Sequence, residues 1–252
     1  MKEIQSVKNP LIKETKKLNQ KKYREQKGAY LLEGFHLIEE AVESGQHLME
    51  VFVSERGMKQ WSEWLQEQFA DYYVVSEEVL KSLASQPTPQ GIVAVVAQPE
   101  EKMPAFKGGW LLLDNVQDPG NVGTMIRTAD AAGFSCVVLG EGTADLYNPK
   151  TLRSTQGSHY HLPVLRADLK DLVPKLQEKM PVYGTALDRQ ALDYRQVQAQ
   201  TDVGVIMGNE GQGLNKELQE LSSKNLYIPI KGQAESLNVA IAAGILLFRL
   251  LK

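Results

Sequence analysis

The chain has 252 residues, 42% of them hydrophobic and 23% charged, which is enough to bury a core as one large α/β domain or two modest ones and excludes general disorder. No apolar run reaches the roughly 18 residues of a membrane span, and the start, MKEIQSVKNPLIK, is charged without an apolar core, so a secretory signal is not expected and a cytoplasmic location is. A net charge of −3 argues against attraction of the whole molecule to nucleic acid, and the single cysteine excludes an intrachain disulfide framework or a cysteine-based zinc site.

Charge is unevenly spread. Residues 1–27 carry nine Lys/Arg against three acids, a balance of +6, while the remaining 19 bases and 28 acids give −9. Such a basic stripe either recognises phosphates locally or is a solvated helix face; charge alone does not separate the two. Residues 9–26 lack glycine and place Leu11, Ile12, Leu18 and Tyr23 among lysines and glutamines, which predicts one basic helix with a narrow apolar stripe.

AYLLEG (29–34) then predicts a strand, FHLIEEAVESG (35–45) an amphipathic helix stopped by Gly45, and LMEVFVSE a second strand. MKQWSEWLQEQFA predicts a helix, YYVVS a strand, SEEVLKSLAS a short helix started by Ser76, and GIVAVVAQP (91–99) a buried strand. This alternation over about a hundred residues is the pattern of a small α/β sandwich. QPEEKMPAFKGG (98–109), with two prolines, two glycines and several charges, marks a linker.

WLLLDNV opens a second α/β series. A helix from about Val122 to Ala132, the strand CVVLG, an irregular or helical LYNPKTLRSTQGS and the strand LPVLRA follow. DLKDLVPKLQEKM predicts a helix with Pro174 in its first turn or at a kink; VYGTAL, VGVIMG and LYIPI predict strands, and a last helix spans about Ser236 to Leu251. Cys136 reads as a small buried strand residue, with a catalytic thiol as the alternative. His159 and His161 alternate as on a strand, but two histidines without a third nearby ligand make a poor zinc site, and no metal is expected.

Three blocks carry the candidate chemistry: DPGNVGTMIRTAD (118–130), IMGNEGQGL (206–214) and IPIKGQAESLNVAIAAG (228–244). Each sets glycines and lone polar groups where a strand hands over to a loop or helix, and several such loops at one edge of a parallel sheet make a ligand crevice. Asn121 and Arg127 are six residues apart on a helix, so an amide and a guanidinium converge on one pocket to grip a phosphate, unless Arg127 pairs with Asp118 or Asp130 on the helix surface. Gly208, Gly211 and Gly213 around Glu210 let backbone N–H groups approach a ligand or form a plain tight turn; the block is neither a P-loop nor G-x-G-x-x-G. Ser236 and Asn238 stand where a helix cap is favoured.

Taken together, the blocks resemble the SpoU (TrmH-like) family of the SPOUT superfamily, S-adenosylmethionine-dependent RNA ribose 2′-O-methyltransferases. DPGNVGTMIRTADAAG, GNEGQGL and IPIKGQAESLNVAIA follow the family pattern in order and spacing, and SVKNPLIK, YLLEGFHLIEEAV and VFVSE resemble the substrate-binding domain often attached to these enzymes. Thr155 in LRSTQGS departs from the serine of many relatives but keeps a hydroxyl. The resemblance implies an α/β protein with an RNA substrate-binding domain of ribosomal-protein-like type over 1–97, a linker over 98–108 and a methyltransferase domain over 109–252 with a deep trefoil knot, a topology that general folding rules make very rare. It implies a homodimer formed through the C-terminal domain, with an active site drawing on both chains. The cofactor S-adenosylmethionine is expected on backbone groups of the second and third blocks, at Gly208, Ile228 and Leu237, with Met207 and Gly213 beside them. Arg127 is implied to activate the 2′-hydroxyl, with Asn121, Glu210, Ser236 and Asn238 shaping the site. A guanidinium stays protonated below about pH 12, so fixing the target phosphate and hydroxyl suits Arg127 better than acting as a base. The expected partner is RNA, ribosomal ahead of transfer RNA because the extra N-terminal domain accompanies many rRNA-modifying relatives. The rivals are a noncatalytic RNA-binding or ribosome-assembly factor of the same fold, and a nucleotide-phosphate enzyme, against which the missing Walker lysine counts.

Overall fold

Two sheets, each with its own core, organise the protein in this computed structural model, which describes residues 2–186 and 190–252. Met1, and Leu187 at the end of the expected VYGTAL strand, lie outside the described residues. By its contacts the chain falls into two compact units: one runs to Glu100 and takes in Tyr147–Tyr160, the other comprises Glu101–Leu146 and His161–Lys252.

The first unit contains, in chain order, β1 (Lys2–Ile4), α1 (Pro10–Lys16), α2 (Lys21–Lys27), β2 (Ala29–Glu33), α3 (Phe35–Glu43), β3 (Leu48–Ser54), α4 (Glu55–Gln60), α5 (Ser62–Gln68), β4 (Tyr73–Val75), α6 (Glu77–Leu83) and β5 (Ile92–Ala97). Its five strands lie in the order β1-β4-β3-β5-β2, with β1, β4 and β3 parallel and β5 antiparallel to both neighbours. Alternate residues of β5 feed opposite cores: Val93 and Val95 meet Ile12, Leu18 and Leu80, whereas Ile92, Ala94 and Val96 meet Leu37, Ile38 and Leu65.

Tertiary packing overrides two of the expected helices. The basic helix over 9–26 is two helices separated by a 3₁₀ turn and an extended Gln20, which sends the Leu18 carbonyl to the buried Arg24, whose Nη1 donates to it at 3.0 Å. The helix expected over 58–70 begins earlier, on the Ser54 cap, and breaks at Trp61, whose ring stacks on Phe35 at 4.5 Å. The short strand β1 has no alternating pattern of its own and exists by pairing with β4.

The second unit is built on a seven-stranded sheet. Its elements begin with β6 (Gly109–Leu113), α7 (Pro119–Ala131) and β7 (Cys136–Leu139); the next helix, α8 (Pro149–Thr155), belongs with the first unit, where Leu152 is buried and Tyr160 shares a 2.8 Å hydrogen bond with Tyr30. Nothing in LYNPKTLRSTQGS announces which core it joins, so a single uninterrupted domain over 109–252 does not describe these contacts. There follow β8 (Val164–Arg166), α9 (Leu169–Gln177), β9 (Val182–Thr185), β10 (Leu192–Asp193), β11 (Val203–Met207), α10 (Lys216–Leu221), β12 (Lys224–Tyr227) and α11 (Val239–Leu250).

The strand order is β10-β12-β9-β11-β6-β7-β8 and every pairing is parallel. A parallel sheet is covered on both faces, which is why β6, β7 and β11 read as continuous apolar runs. Trp110, Leu112, Cys136 and Val138 pack with Leu172 and Leu176 of α9 on one face, while α7 and α11 pack against each other. From β6 the chain builds outward to β7 and β8, then crosses to build β9 to β12 on the other side. The C-terminal ends of β6 and β11, paired through Leu113 and Met207, therefore lie at a switch point, the usual place for a ligand in such a sheet.

Local differences from expectation have simple causes. Pro174 sits at the sixth position of α9, inside the helix rather than in its first turn. β12 stops at Tyr227, because Pro229 cannot donate to a ladder, and this frees Ile228 and Ile230 for another role. Ser236 precedes α11 rather than starting it. No described helix is long and apolar enough to cross a membrane.

Candidate functional site

The first block begins a turn before the expected helix start. Asp118 caps α7, its carboxylate accepting from the Asn121 N–H at 2.9 Å with Pro119 at the first helical position, so Asn121 sits in the opening turn. The approach to this cap is bent at Asn115, which holds φ at +53°. Thr143 braces the bend: its hydroxyl donates to the Leu113 carbonyl at 2.8 Å and accepts from the Val116 N–H at 3.3 Å.

The second block is a compact turn immediately after β11. A Cβ on Gly208 would lie 2.5 Å from the carbonyl carbon of Gly213, so only glycine fits, and Gly213 needs its freedom for a φ of +72°. Asn209 and Gly213 exchange backbone hydrogen bonds at 3.0 Å. Glu210 reaches back to the first block, its carboxylate accepting from the N–H groups of Gln117 and Asp118, each at 3.3 Å, and from Asn121 Nδ2 at 3.0 Å. Partial burial acts to raise the Glu210 carboxyl, but the donors from Asn121, its own backbone, Asp118 and Gln117 outweigh it and hold the group below the ordinary glutamate value.

In the third block Asn238 caps α11, its Oδ1 accepting from Ala240 and Ile241 N–H groups at 2.9 and 3.3 Å. Its Nδ2 donates to Asn121 Oδ1 at 3.0 Å. Glu210, Asn121 and Asn238, one from each block, thus form a continuous hydrogen-bonded row.

Beside that row lies a cleft of about 630 Å³. Met207, Gly208, Glu210, Gly213, Ile228, Ser236, Leu237 and Asn238 all line it, and so do Leu226, Tyr227 and Leu246. Asn121 stands outside the lining but one hydrogen bond away. Arg127 is not brought to the cleft. Six residues on from Asn121 it has turned about 120° from that side chain, and it is exposed, without a hydrogen bond or ion pair among the described residues. The surface pairing open to it is not made: Asp118 is a helix cap and Asp130 meets His161 Nδ1 at 2.9 Å.

The other candidates resolve into packing. His159 and His161 do not alternate on a strand; His159 lies in a short 3₁₀ turn with Nδ1 on Thr155 at 2.9 Å, and the Thr155 hydroxyl donates to the Leu152 carbonyl at 2.8 Å. The Cys136 thiol is fully buried, and burial pushes it up to about 12, out of the range of a nucleophile at neutral pH. Thr185 and Ala186, which also line the cleft, carry no motif, because their role follows only from β9 lying beside both β11 and β12.

Residues 110–248 match the SpoU rRNA Methylase family and residues 9–94 the MRM3-like substrate binding domain. Over 99% of both chains, the sequence is 47% identical to the 23S rRNA (guanosine(2553)-2′-O)-methyltransferase RlmP of Bacillus subtilis. Among solved structures, the AdoMet-bound rRNA methyltransferase from Sinorhizobium meliloti superposes with a TM-score of 0.85 at 33% identity, covering 98% of this chain and 96% of that one. The SpoU methyltransferase AviRb from Streptomyces viridochromogenes, in complex with AdoMet, gives 0.84 at 27% identity over 96% of each chain. With its three blocks gathered at one edge of a parallel sheet and its family model spanning more than half its length, the chain belongs to the SpoU rRNA methylase family.

Proposed function

We propose that the protein transfers a methyl group from S-adenosylmethionine to a ribose 2′-hydroxyl of ribosomal RNA. The observation that carries this reading is the convergence of Met207, Gly208, Gly213, Ile228 and Leu237 on one cleft beside the row Glu210, Asn121 and Asn238. The cleft fits the cofactor: its volume is that of a cofactor pocket, Leu226, Ile228 and Leu246 offer apolar wall to an adenine, and the glycine turn exposes backbone groups to its polar parts. Bound there, S-adenosylmethionine supplies an electrophilic methyl group.

The chain's own residues have positioning as their main task, since orienting two reactants is worth several kcal/mol. Asn238 and Ser236 line the cleft and Asn121 stands one hydrogen bond away from it, so these polar groups are available to a ribose that enters there. Arg127, planar, always charged and without a hydrogen-bond or ion-pair partner among the described residues, holds the target nucleotide's phosphate and hydroxyl. With the methyl group that the bound cofactor would supply passing to the 2′-oxygen, the hydroxyl proton would leave to a phosphate oxygen or water.

Arg127 would serve a cleft on another subunit in a homodimer built through the second unit. Supporting this, α11 leaves Ile241 and Phe248 58% and 64% exposed, an apolar surface suited to a second copy. The strand order supports a trefoil knot, because β11 enters between β6 and β9, and β12 between β9 and β10, before α11 returns to α7. Residues 1–97, of ribosomal-protein-like type, select the RNA, with 98–108 as linker and the methyltransferase domain drawn from 109–252 apart from Tyr147–Tyr160, which pack with the first unit. The 47% identity to a 23S rRNA guanosine methyltransferase favours that RNA and a guanosine ribose, and a cytoplasmic site of action. The test is to map 2′-O-methyl positions in total RNA with and without the protein. Loss of one 23S rRNA methyl group is expected; loss confined to tRNA, or at no position, would overturn the substrate or the activity.

A further inference from the structure

Asn209 lines the cleft, yet both halves of its side-chain amide are bonded to the protein. Its Oδ1 accepts from the N–H groups of Gly211 and Gln212, both at 2.9 Å, closing the turn that Gly208 and Gly213 make sterically possible. Its Nδ2 donates to the Asn115 carbonyl at 2.8 Å, across from β11 to the end of β6. The two halves of one amide therefore do different jobs, the oxygen inside the cofactor turn and the nitrogen on the segment leading to Asn121.

The acceptor is itself prepared. Asn115 holds φ at +53°, a conformation that asparagine tolerates and a β-branched residue does not. Its side-chain oxygen accepts from Gln117 Nε2 at 3.3 Å and lies so near Gly142 that a Cβ there would collide with it. The bend turns the Asn115 carbonyl toward Asn209 and the following N–H groups of Gln117 and Asp118 toward Glu210. The residue before Glu210 is thus moored to the segment that supplies those donors.

We propose that Asn209 is a positioning residue that couples the cofactor turn to the catalytic segment: its oxygen shapes the turn for the cofactor and its nitrogen, through Asn115, sets Glu210 and Asn121 for methyl transfer. The proposal rests on the methyl-transfer reading.

Asn209→Asp keeps the acceptor for Gly211 and Gln212 but replaces the donor with an oxygen facing the Asn115 carbonyl, whereas Asn209→Ala removes both. Steady-state kinetics on the full-length protein should show kcat lowered about tenfold in both variants, the loss expected of one good hydrogen bond at a reacting centre. The KM for S-adenosylmethionine should rise about tenfold in the alanine variant and stay within about threefold in the aspartate variant, with the KM for RNA within about twofold in each. Asn115→Val, which cannot hold the bend, should reproduce the aspartate profile, and Asn115→Gly, which keeps both the bend and the carbonyl, should recover most of kcat. A purely structural role would lower the thermal midpoint without this split. Equal KM changes in the two Asn209 variants, an unaltered kcat in either, or a rise in the KM for RNA overturns the proposal while wild-type turnover keeps the activity itself intact. A wild-type enzyme without methyl transfer overturns the activity, and the proposal with it.

Discussion

Asn238 donates its side-chain N–H to Asn121 Oδ1 at 3.0 Å, and the bond has only one direction available to it. The Asn238 oxygen is already taken by the Ala240 and Ile241 N–H groups, so its nitrogen must face Asn121. Asn121 therefore accepts with its oxygen and has its nitrogen left for Glu210. A helix cap in one block orients an amide in another, which in turn donates to the carboxylate of the remaining block and favours its charged form.

Breaking this row should cost turnover without costing the fold. Asn238→Asp keeps an efficient cap, so its thermal stability should stay close to that of the parent, whereas Asn238→Ala should lose about 1 kcal/mol. Both lose the donor to Asn121, and single-turnover methylation should slow about tenfold in both. Normal turnover in the aspartate variant would show that the row has no part in the chemistry.

Glu210 makes the site sensitive to acid. Its folded-state carboxyl is held below the ordinary value of 4.5, so its clamp on Gln117, Asp118 and Asn121 is fully present above that value and is lost as pH falls through the lower, folded-state value. Calorimetric affinity for S-adenosylmethionine should be level above about pH 6 and fall in the acid range, where carboxylates take up protons. Glu210→Gln should bind more weakly at neutral pH and lack that acid limb; an identical limb in the variant would assign it to another group.

Arg127→Lys tests the planar fork. The cofactor cleft is lined without Arg127, so affinity for S-adenosylmethionine should be unchanged. Turnover on saturating RNA should fall at least about tenfold, because an ammonium cannot grip phosphate and hydroxyl bidentately. Near-normal turnover would sink the role.

The basic segment of the first unit divides into paired and unpaired lysines. Lys17 and Lys27 both hold Glu14, at 2.6 and 3.3 Å, whereas Lys8, Lys13, Lys16 and Lys22 make no ion pair among the described residues. Deleting the segment would also remove Ile12 and Leu18 from the core, so neutralisation is the cleaner probe. Lys→Gln at the four unpaired positions should flatten the salt dependence of RNA binding by about 0.7 per lost phosphate contact, and Lys17→Gln with Lys27→Gln by less. An unchanged slope would make the segment a solvated surface.

The sequence by itself determined most of the α/β series, because buried parallel strands are continuous apolar runs and their helices carry caps such as Ser76 and Asn238. It also marked the three blocks, since glycines and lone polar groups at strand ends are local features; the resemblance to the SpoU family picked out ten site residues within them, and eight of those line one cleft. Only the tertiary structure decided what depends on contacts between distant segments. The basic helix broke at Gln20 because a buried arginine takes a carbonyl, residues 147–160 joined the first core, and β11 came to lie between β6 and β9. For the same reason Asn209 passed as one more polar residue in a turn. Its function depends on the carbonyl of Asn115, 94 residues away in sequence and 2.8 Å away in space, and no local pattern encodes such a partner.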